Sequence, residues 1–444
     1  MGRCAVSTQK QKRPFALRAL AAFAGTLAIL FVLLLAAYAL PGERVRQHVY
    51  DSARTIQNEG LYPEYLGFKL FQMDNYTDTL MLFEAASADE LPPLQAMMTN
   101  TAYNVDNFET LADDLAWYIE KDWSTGAQRT DAPTLEPFSY ARYWHGYLIW
   151  LRPLLLLMPY TGVRIVQYIV LFALLAVVLV QLRRRCGLRA AVWFAVSQLA
   201  VSVWFVPHQV QYFTCFMIAY AGCAWVLAKP RRSDVLCLGL LVLGTATAFC
   251  DLLVTPIITL GLPLTCWLLE PQQRLRGGVP QCALAVGGSL CWGTGYALCW
   301  AGKWALAGAV TNNNVLADAL HQAEVRTTAD TWHGMELTWR NIFIFLYDTL
   351  NSHHLFWPAF AVLAVLIALF ILSIRSKTAL VRALPLALTT CMTPAWFVLL
   401  RTHSIQHGWF TWRALGLTVF AGLAFLYYAC DLRAARRRLQ KGSI

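Results

Sequence analysis

The apolar residues of this 444-residue chain are concentrated in long runs, and these runs predict membrane-spanning helices. About 20 mostly apolar residues are needed to cross the hydrocarbon core of a bilayer. The first run, 16–40, follows a basic N-terminus and is longer than the apolar part of a cleaved signal peptide, so it predicts a retained helix. Ten runs reach or approach the required length: 16–40, 160–182, 188–206, 211–228, 235–250, 252–269, 279–302, 356–374, 383–400 and 412–430.

The count of ten spans has a range of nine to eleven, because Asp251 alone separates two short runs. The pattern therefore predicts an all-α, polytopic integral membrane protein that forms a single membrane domain over 1–444. Its parts are a first transmembrane helix 16–40, a long outer loop 41–150, transmembrane helices 160–302, a second outer loop 303–355, transmembrane helices 356–430 and a basic cytoplasmic tail 431–444.

Both long loops contain segments that are predicted to lie along the membrane surface. From 102 to 121 the apolar residues recur every three to four positions, which predicts an amphipathic helix. The segment 331–350 has a similar character and predicts an interfacial helix that leads into the next span.

Composition agrees with a membrane location. The chain is 57% hydrophobic and 14% charged, whereas soluble domains carry roughly 25% charged residues. With the N-terminus inside, 22 of the 36 basic residues but only 3 of the 26 acidic residues fall on the inner side. The net charge of +10 is therefore explained by the positive-inside rule, and nucleic acid is not expected as a partner.

The cysteines favour a bacterial cell membrane over a secretory pathway. None of the 12 cysteines lies in the two long outer loops, so no disulfide framework supports these loops. Both termini are then predicted to be cytoplasmic, and the active face is predicted to be extracytoplasmic.

The strongest candidate for chemistry is the acidic motif Met73-Asp74-Asn75-Tyr76-Thr77-Asp78 in the first loop. On a helix, Asp74 and Asp78 would share one face. Two neighbouring carboxylates can raise one pKa and create a base for a hydroxyl group. The alternative is a solvated acidic turn in which Asp74 or Thr77 caps the following helix.

Arg142, Trp144 and His145 stand together just before the next span. An arginine beside aromatic rings at an interface can hold a phosphate or stack on a sugar. The alternative is an ordinary belt of interfacial anchors.

His403, His407 and Arg413 lie in a short loop near the C-terminus. Two histidines four residues apart could bind a metal, but no carboxylate or cysteine nearby completes a zinc site. Hydrogen bonding to a phosphate or substrate is the preferred interpretation.

Asp251, Lys303 and Arg326 are the remaining ionisable candidates near the membrane. Asp251 either marks an outer turn or points into a cavity. For Lys303, at the outer end of a span, the alternative to phosphate binding is snorkelling to the lipid headgroups.

All these side chains converge on the outer interface, and the inner loops offer mainly basic residues. The chain has no Walker A pattern, no G-x-S-x-G elbow, no CxxC pair and no H-E-x-x-H motif. Chemistry on a lipid-borne substrate at the outer leaflet therefore fits better than cytosolic nucleotide chemistry.

With this layout the chain resembles the GT-C class of polytopic glycosyltransferases, and in particular membrane proteins of Gram-positive cell-wall polysaccharide biosynthesis. The stretches that carry the resemblance are MDNYTD, YARYWHG, FCDLLVTP, GYALCWAGKW and HSIQHGWFTWR. The resemblance implies a GT-C-like fold, a sugar donor on polyprenyl phosphate, a glycan or lipid-linked acceptor, and an acid of the first outer loop as catalytic base.

Carried onto this chain, the resemblance makes Asp74 the base and Asp78 its orienting partner. Arg142, Lys303, Arg326 and Arg413 would hold the leaving phosphate, and Trp144 and His145 would form a wall against the sugar. The acidic motif lies farther from the first span than in many members of the class, so Asp51 and Asp251 remain alternatives for the base. No cofactor is implied, although paired acids would allow a divalent cation.

Two other functions stay open at this point. An envelope polysaccharide polymerase or ligase would join preassembled lipid-linked glycans with outer arginines and histidines. A transporter or flippase for lipid-linked glycans would place ionisable residues near the midplane, where this chain offers only Asp251.

Overall fold

The computed structural model describes residues 14–328 except 89, 104–107, 112, 115–136 and 277. Beyond 328 it describes 331–332, 335–336, 338, 341–342, 344, 347–348, 351, 354, 356–431 and 433. Most of the predicted basic tail 431–444 therefore lies outside the described residues.

The described residues fold almost entirely into α-helices. The helices are α1 Phe15–Tyr38, α2 Glu43–Glu59, α3 Asn75–Ser87, α4 Pro93–Thr99, α5 Leu148–Leu155, α6 Tyr160–Cys186, α7 Leu188–Ala200, α8 Val210–Ala228, α9 Ser233–Cys250, α10 Ile257–Leu268, α11 Pro271–Arg274, α12 Gly278–Thr311, α13 Val315–Thr328, α14 Phe356–Ser373, α15 Lys377–Leu399, α16 Arg401–Gln406, α17 Gly408–Thr411 and α18 Leu415–Ala429. Short 3-10 turns lie at Tyr65–Gly67, Lys69–Phe71, Phe108–Thr110, Val203–His208 and Trp412–Ala414.

Within the described part of the chain, seven helical segments are long and apolar enough to cross a membrane, which confirms the predicted all-α, multi-span membrane protein. These segments are Phe15–Tyr38, Tyr160–Cys186, Val210–Ala228, Ser233–Cys250, Gly278–Thr311, Lys377–Leu399 and Gly408–Ala429. Three shorter apolar helices, Leu188–Ala200, Ile257–Leu268 and Leu363–Ser373, occupy the other predicted spans. The count of ten spans stays a prediction.

The outward faces of the long helices carry aliphatic side chains. On α1, Ile29 is 63% and Val32 is 61% exposed, and on α6, Ile169 is 65% exposed. Large apolar faces of this kind are rare on soluble monomers. A lipid bilayer provides the apolar surroundings that these faces require.

Small residues allow α9 and α12 to pack closely. A Cβ atom added at Gly244 would lie 2.1 Å from the Trp292 carbonyl oxygen, and one added at Gly295 would lie 2.2 Å from the Leu241 carbonyl oxygen. Close backbone approach through small residues is typical of packing between membrane helices. This pair forms the rigid support for the outer part of α12.

Polar contacts join the predicted inner residues to one another at one end of the bundle. Arg18 pairs with Asp234 at 2.9 Å, and Arg185 pairs with Glu270 at 2.8 Å. The candidate site residues lie at the other end, so the two ends separate as the charge pattern predicts. Which end faces the cytoplasm stays a prediction.

The two predicted interfacial helices are wrong at their first residues, whereas the described residues 108–111 and 113–114 of the first one are helical. Thr101–Tyr103 (β1) pairs antiparallel with Pro137–Ser139 (β2), so the predicted helix 102–121 begins in a strand. Thr331–Trp332 (β3) pairs with Met335–Glu336 (β4), so a hairpin opens the segment 331–350. Strand pairing with a partner distant in sequence satisfies the backbone at β1, and apolar spacing does not report such pairing. Most of 104–121 lies outside the described residues.

Candidate functional site

Asp74 begins α3 and caps its N-terminus. Its Oδ1 accepts a hydrogen bond from the Thr77 N–H at 2.9 Å, and its Oδ2 accepts one from the Thr77 hydroxyl at 2.9 Å. This capping was the alternative interpretation of the motif, but the turn is not solvated, because Asp74 is only 3% exposed. Burial raises the pKa of Asp74, although hydrogen bonds from Thr77, Gln211 and Trp409 oppose this shift.

Asp78 caps a different helix, α8, whose start lies against α3. Its carboxylate accepts hydrogen bonds from the Tyr160 hydroxyl, from the Val210 N–H at 3.2 Å and from the Gln211 N–H at 3.4 Å. Burial raises the pKa of Asp78 to about 7, against the lowering effect of the Tyr160 hydrogen bond. The two carboxylates therefore have different main hydrogen-bond donors, and Gln211 lies next to both.

A buried polar network fixes the position of Asp74. Glu59 and Arg164 form a two-fold ion pair with N···O distances of 2.5 and 2.8 Å. Asn75 donates to Glu59 at 3.2 Å and accepts from the Gln209 amide at 2.7 Å. The Gln209 Oε1 in turn accepts from the Asp74 N–H at 3.0 Å. Residues of α2, α3, α6 and α8 thus hold the acidic motif in one orientation.

The loop between α15 and α18 contacts the acidic motif. Its Trp409 lies close to the Asp74 carboxylate, whose pKa it lowers, and packs edge-on against Tyr62, with ring centroids 6.0 Å apart. Arg413 donates to the Trp409 carbonyl at 3.0 Å and lies 4.7 Å above the Tyr212 ring. The structure therefore brings together the first outer loop and the last one.

His403 and His407 belong to the same loop, and their ring centroids are 4.7 Å apart. Burial lowers the pKa of His403 well below its usual range, and it lowers that of His407 to about 3, with a further contribution from the Arg326 charge to both. Nε2 of His403 faces the Leu253 carbonyl at 2.9 Å, so it carries the proton. The Nδ1 atom of His403 is then a buried acceptor with no partner among the described residues.

Arg326 and Arg142 lie beside a cavity of about 130 Å³. Arg326 donates to the Tyr143 hydroxyl, and Arg142 lies 3.3 Å from Asp318 and 4.6 Å above the Tyr140 ring. Within the described part of the chain, Arg142 Nε is buried without a hydrogen-bond partner.

Aromatic rings on one face of α12 form a wall beside this cavity. Trp292, Tyr296, Trp300 and Trp304 recur every four residues, with successive ring centroids 4.8, 5.0 and 5.9 Å apart. The last three of these residues line the cavity. The Tyr296 hydroxyl and the Trp300 indole nitrogen are buried without partners among the described residues. The four-residue repeat is visible in the sequence and could have predicted this wall.

Lys303 does not reach the cavity or the headgroups. It is fully buried, and its Nζ donates to the Met97 carbonyl at 2.7 Å and to Asn100 Oδ1 at 2.5 Å. Asn100 has a left-handed conformation that ends α4. A cation at the carbonyl end of a helix is favourable, so Lys303 holds α4 against α12.

Trp144 and His145 are fully buried, and neither residue lines the cavity. Trp144 stacks on Phe249 with ring centroids 4.7 Å apart. His145 places Nδ1 2.6 Å from a Glu84 oxygen and Nε2 3.0 Å from the Tyr140 carbonyl. Their positions correct the expected sugar wall, because interior packing takes both rings away from the outer surface.

Asp251 begins the turn between α9 and α10. Its carboxylate accepts the Val254 N–H at 3.1 Å, and burial raises its pKa to about 6 against opposing hydrogen bonds from Cys215 and backbone N–H groups. The carboxylate thus stabilises the turn itself, which was one of the two interpretations of this residue.

The described residues hold no cluster of three or more histidine, cysteine or acidic side chains that could bind a metal. Glu84 and Arg164 are the important site neighbours that the sequence reasoning missed. A charged residue whose immediate neighbours in the helix are mostly apolar was the available signal for both.

Comparison of this chain with protein-family models, with curated proteins and with solved structures gives no match.

Proposed function

We propose that this protein transfers a sugar from a polyprenyl-phosphate donor to a cell-envelope acceptor at the outer face of a bacterial cell membrane. The observation that carries the proposal is that a buried aspartate, two neutral histidines and Arg326 form a connected series at one end of the bundle. Asp74 contacts Trp409, Trp409 lies beside His407 with ring centroids 5.3 Å apart, and the histidines lie within the electrostatic reach of Arg326.

Asp74 is the better base of the two acids. The three hydrogen bonds to Asp78 come from a helix start and from the Tyr160 hydroxyl, so its carboxylate is committed to holding α8. Asp74 caps α3 through two hydrogen bonds from Thr77, and Gln211 and Trp409 are close neighbours that lower its pKa. A carboxylate can accept about four hydrogen bonds. The raised pKa of Asp74 brings it closer to the working pH, as general base catalysis requires.

Arg326 and Arg142 are the proposed partners of the phosphate. When the glycosidic bond breaks, negative charge develops on the leaving phosphate, and preorganised cations stabilise that charge. The aromatic wall of Tyr296, Trp300 and Trp304 would lie against the first isoprene units, since it is apolar and begins within a membrane helix. Arg413, close to Tyr212, would contribute positive potential near Asp74.

His403 is suited to a sugar hydroxyl group. It is neutral, and its Nδ1 is a buried acceptor with no partner among the described residues. His403 does not itself line the cavity, but its neighbours Leu253 and Leu400 do, and a donor hydroxyl from a ligand that reaches past them would satisfy this atom. A pocket that hydrogen-bonds a hydroxyl strongly rejects an analogue without it, so His403 is a specificity residue in this proposal.

The test is complementation of a deletion strain, with the cell-wall polysaccharide analysed for a missing sugar. Asp74→Asn should lower sugar transfer by about 10²- to 10⁴-fold, the usual contribution of a general base. Asp113→Asn is the matched control, because Asp113 is an exposed acid of the same loop and has no role in the proposed site. Full restoration by a normally expressed Asp74→Asn protein would reject the proposal for Asp74.

A second variant separates binding from folding. Arg326→Gln should weaken use of the lipid-phosphate donor while the protein stays in the membrane at the wild-type level. Donor use that is unchanged in this variant contradicts a phosphate role for Arg326.

A further inference from the structure

A second cavity, of about 270 Å³, lies at the opposite end of the bundle from Asp74. It is bounded by the start of α12, the start of α15, the turn at α11 and the end of α18. Three arginines line it: Arg274, Arg375 and Arg382. No carboxylate lines it among the described residues.

These three arginines differ from their basic neighbours in their partners. Arg18 and Arg185, at the same end, have carboxylate partners at 2.9 and 2.8 Å. Arg274 donates instead to the Tyr428 hydroxyl, and Arg375 donates to backbone carbonyls such as that of Tyr427 at 3.3 Å. The positive charge of the cavity is therefore not neutralised by the described part of the protein.

Gln281 adds a polar group that is buried and unpaired. It lines the cavity and is 3% exposed. Its Nε2 donates to the Gln273 carbonyl at 3.1 Å, which fixes the orientation of the amide. Its Oε1 has no hydrogen-bond partner among the described residues, and the same holds for Nε of Arg274. Buried polar atoms are normally hydrogen-bonded, so both atoms indicate a polar ligand.

An apolar cavity of about 450 Å³ adjoins this site. Arg375 lines both cavities. Leu366, Phe370 and Leu426 line the second one, together with the oppositely charged Asp431 and Arg433. A free phosphate ion would have no use for this apolar surface. A lipid would place its phosphate among the arginines and an acyl chain along α14 and α18.

We infer that this inner-end cavity binds the phosphate of an anionic phospholipid whose headgroup carries a hydroxyl group. The arginines bind the phosphate through charge-assisted hydrogen bonds. The headgroup hydroxyl donates to Gln281 Oε1. Basic pockets between membrane helices at the cytoplasmic side are suited to such headgroups. The site is separate from the proposed sugar transfer and does not depend on it.

The experiment uses the full chain purified in mild detergent. Native mass spectrometry measures retained lipid after addition of phosphatidylglycerol, phosphatidylcholine or inorganic phosphate, and tryptophan fluorescence measures the melting temperature. Wild type should retain phosphatidylglycerol in preference to phosphatidylcholine, with a higher melting temperature. Arg382→Gln should weaken this retention by about fivefold, the usual effect of one basic residue at an anionic lipid surface.

Arg276→Gln is the matched control. Arg276 is exposed, lies two residues beyond Arg274 and does not line the cavity, so this variant should retain phosphatidylglycerol like the wild type. Arg382 is the main test residue because it is also exposed, and its replacement breaks no hydrogen bond of the described fold.

Three results would overturn the inference. The first is equal retention of phosphatidylglycerol and phosphatidylcholine by the wild type. The second is equal weakening by Arg276→Gln and Arg382→Gln. The third is stabilisation by inorganic phosphate as strong as that by phosphatidylglycerol, which would reject a lipid as the source of the phosphate.

Discussion

The buried carboxyl group of Asp78 should make the stability of the protein depend on pH. Its pKa is raised to about 7 by burial, whereas an aspartate in an unfolded chain has a pKa of about 3.9. The folded protein therefore binds a proton that the unfolded chain has released. Such a group stabilises the fold while it is protonated, and this stability is lost as the pH rises through about 7.

The size of the effect follows from the two pKa values. At pH 5.5 the protonated carboxyl group contributes about 2 kcal/mol to the free energy of unfolding, and at pH 8.5 it contributes almost nothing. Asp78→Asn should remove this difference, because its amide does not titrate. The asparagine can still accept from the Val210 N–H, whose distance to the carboxylate is 3.2 Å, so the variant should fold.

The assay is reversible unfolding in mixed micelles at pH 5.5 and pH 8.5, followed by tryptophan fluorescence. Other groups titrate in the same range, including Asp251 with a pKa of about 6. Subtracting the pH dependence of the free energy of unfolding of the variant from that of the wild type cancels the contributions of these other groups if they act independently. Equal pH dependence in the wild type and Asp78→Asn would refute the reasoning.

Two further predictions concern packing and buried charge. Glu84→Gln removes the carboxylate that lies 2.6 Å from His145 Nδ1, and it should cost about 3–5 kcal/mol of stability, the usual effect of breaking a buried pair; a loss below about 1 kcal/mol in chemical unfolding contradicts this. Gly244→Ala would place a Cβ atom 2.1 Å from the Trp292 carbonyl oxygen, so it should cost about 1–3 kcal/mol. Gly287→Ala is its control, since nothing lies within 4 Å of an added Cβ atom. Gly244→Ala should lower the free energy of unfolding more than Gly287→Ala does, and equal losses in chemical unfolding contradict this.

The helical character and the capping role of Asp74 could be predicted because both are local. Apolar runs report spans directly, and an aspartate before a helix-forming stretch is a common N-cap. The same local signal could not show that Asp78 caps α8. Its partner Val210 lies 132 residues away, and no spacing along the chain reports that contact.

The contact of Lys303 also could not be predicted from the sequence. In the sequence it stands at the end of an apolar run, where snorkelling is the ordinary outcome for lysine. The structure gives it the carbonyl end of α4, 206 residues earlier in the chain. His145 is similar, because its partner Glu84 belongs to a helix that reads as apolar. These assignments needed the tertiary fold.

The length of α12 affects how the cavity beside Arg326 is placed in the bilayer. Its 34 residues extend about 51 Å, against a hydrocarbon core of about 30 Å. The aromatic wall from Trp292 to Trp304 extends about 18 Å along this helix. A change in bilayer thickness would therefore change the depth of its aromatic side chains relative to the lipid headgroups. In the proposed function, the depth at which the lipid-borne phosphate meets Arg326 would therefore depend partly on the thickness of the bilayer.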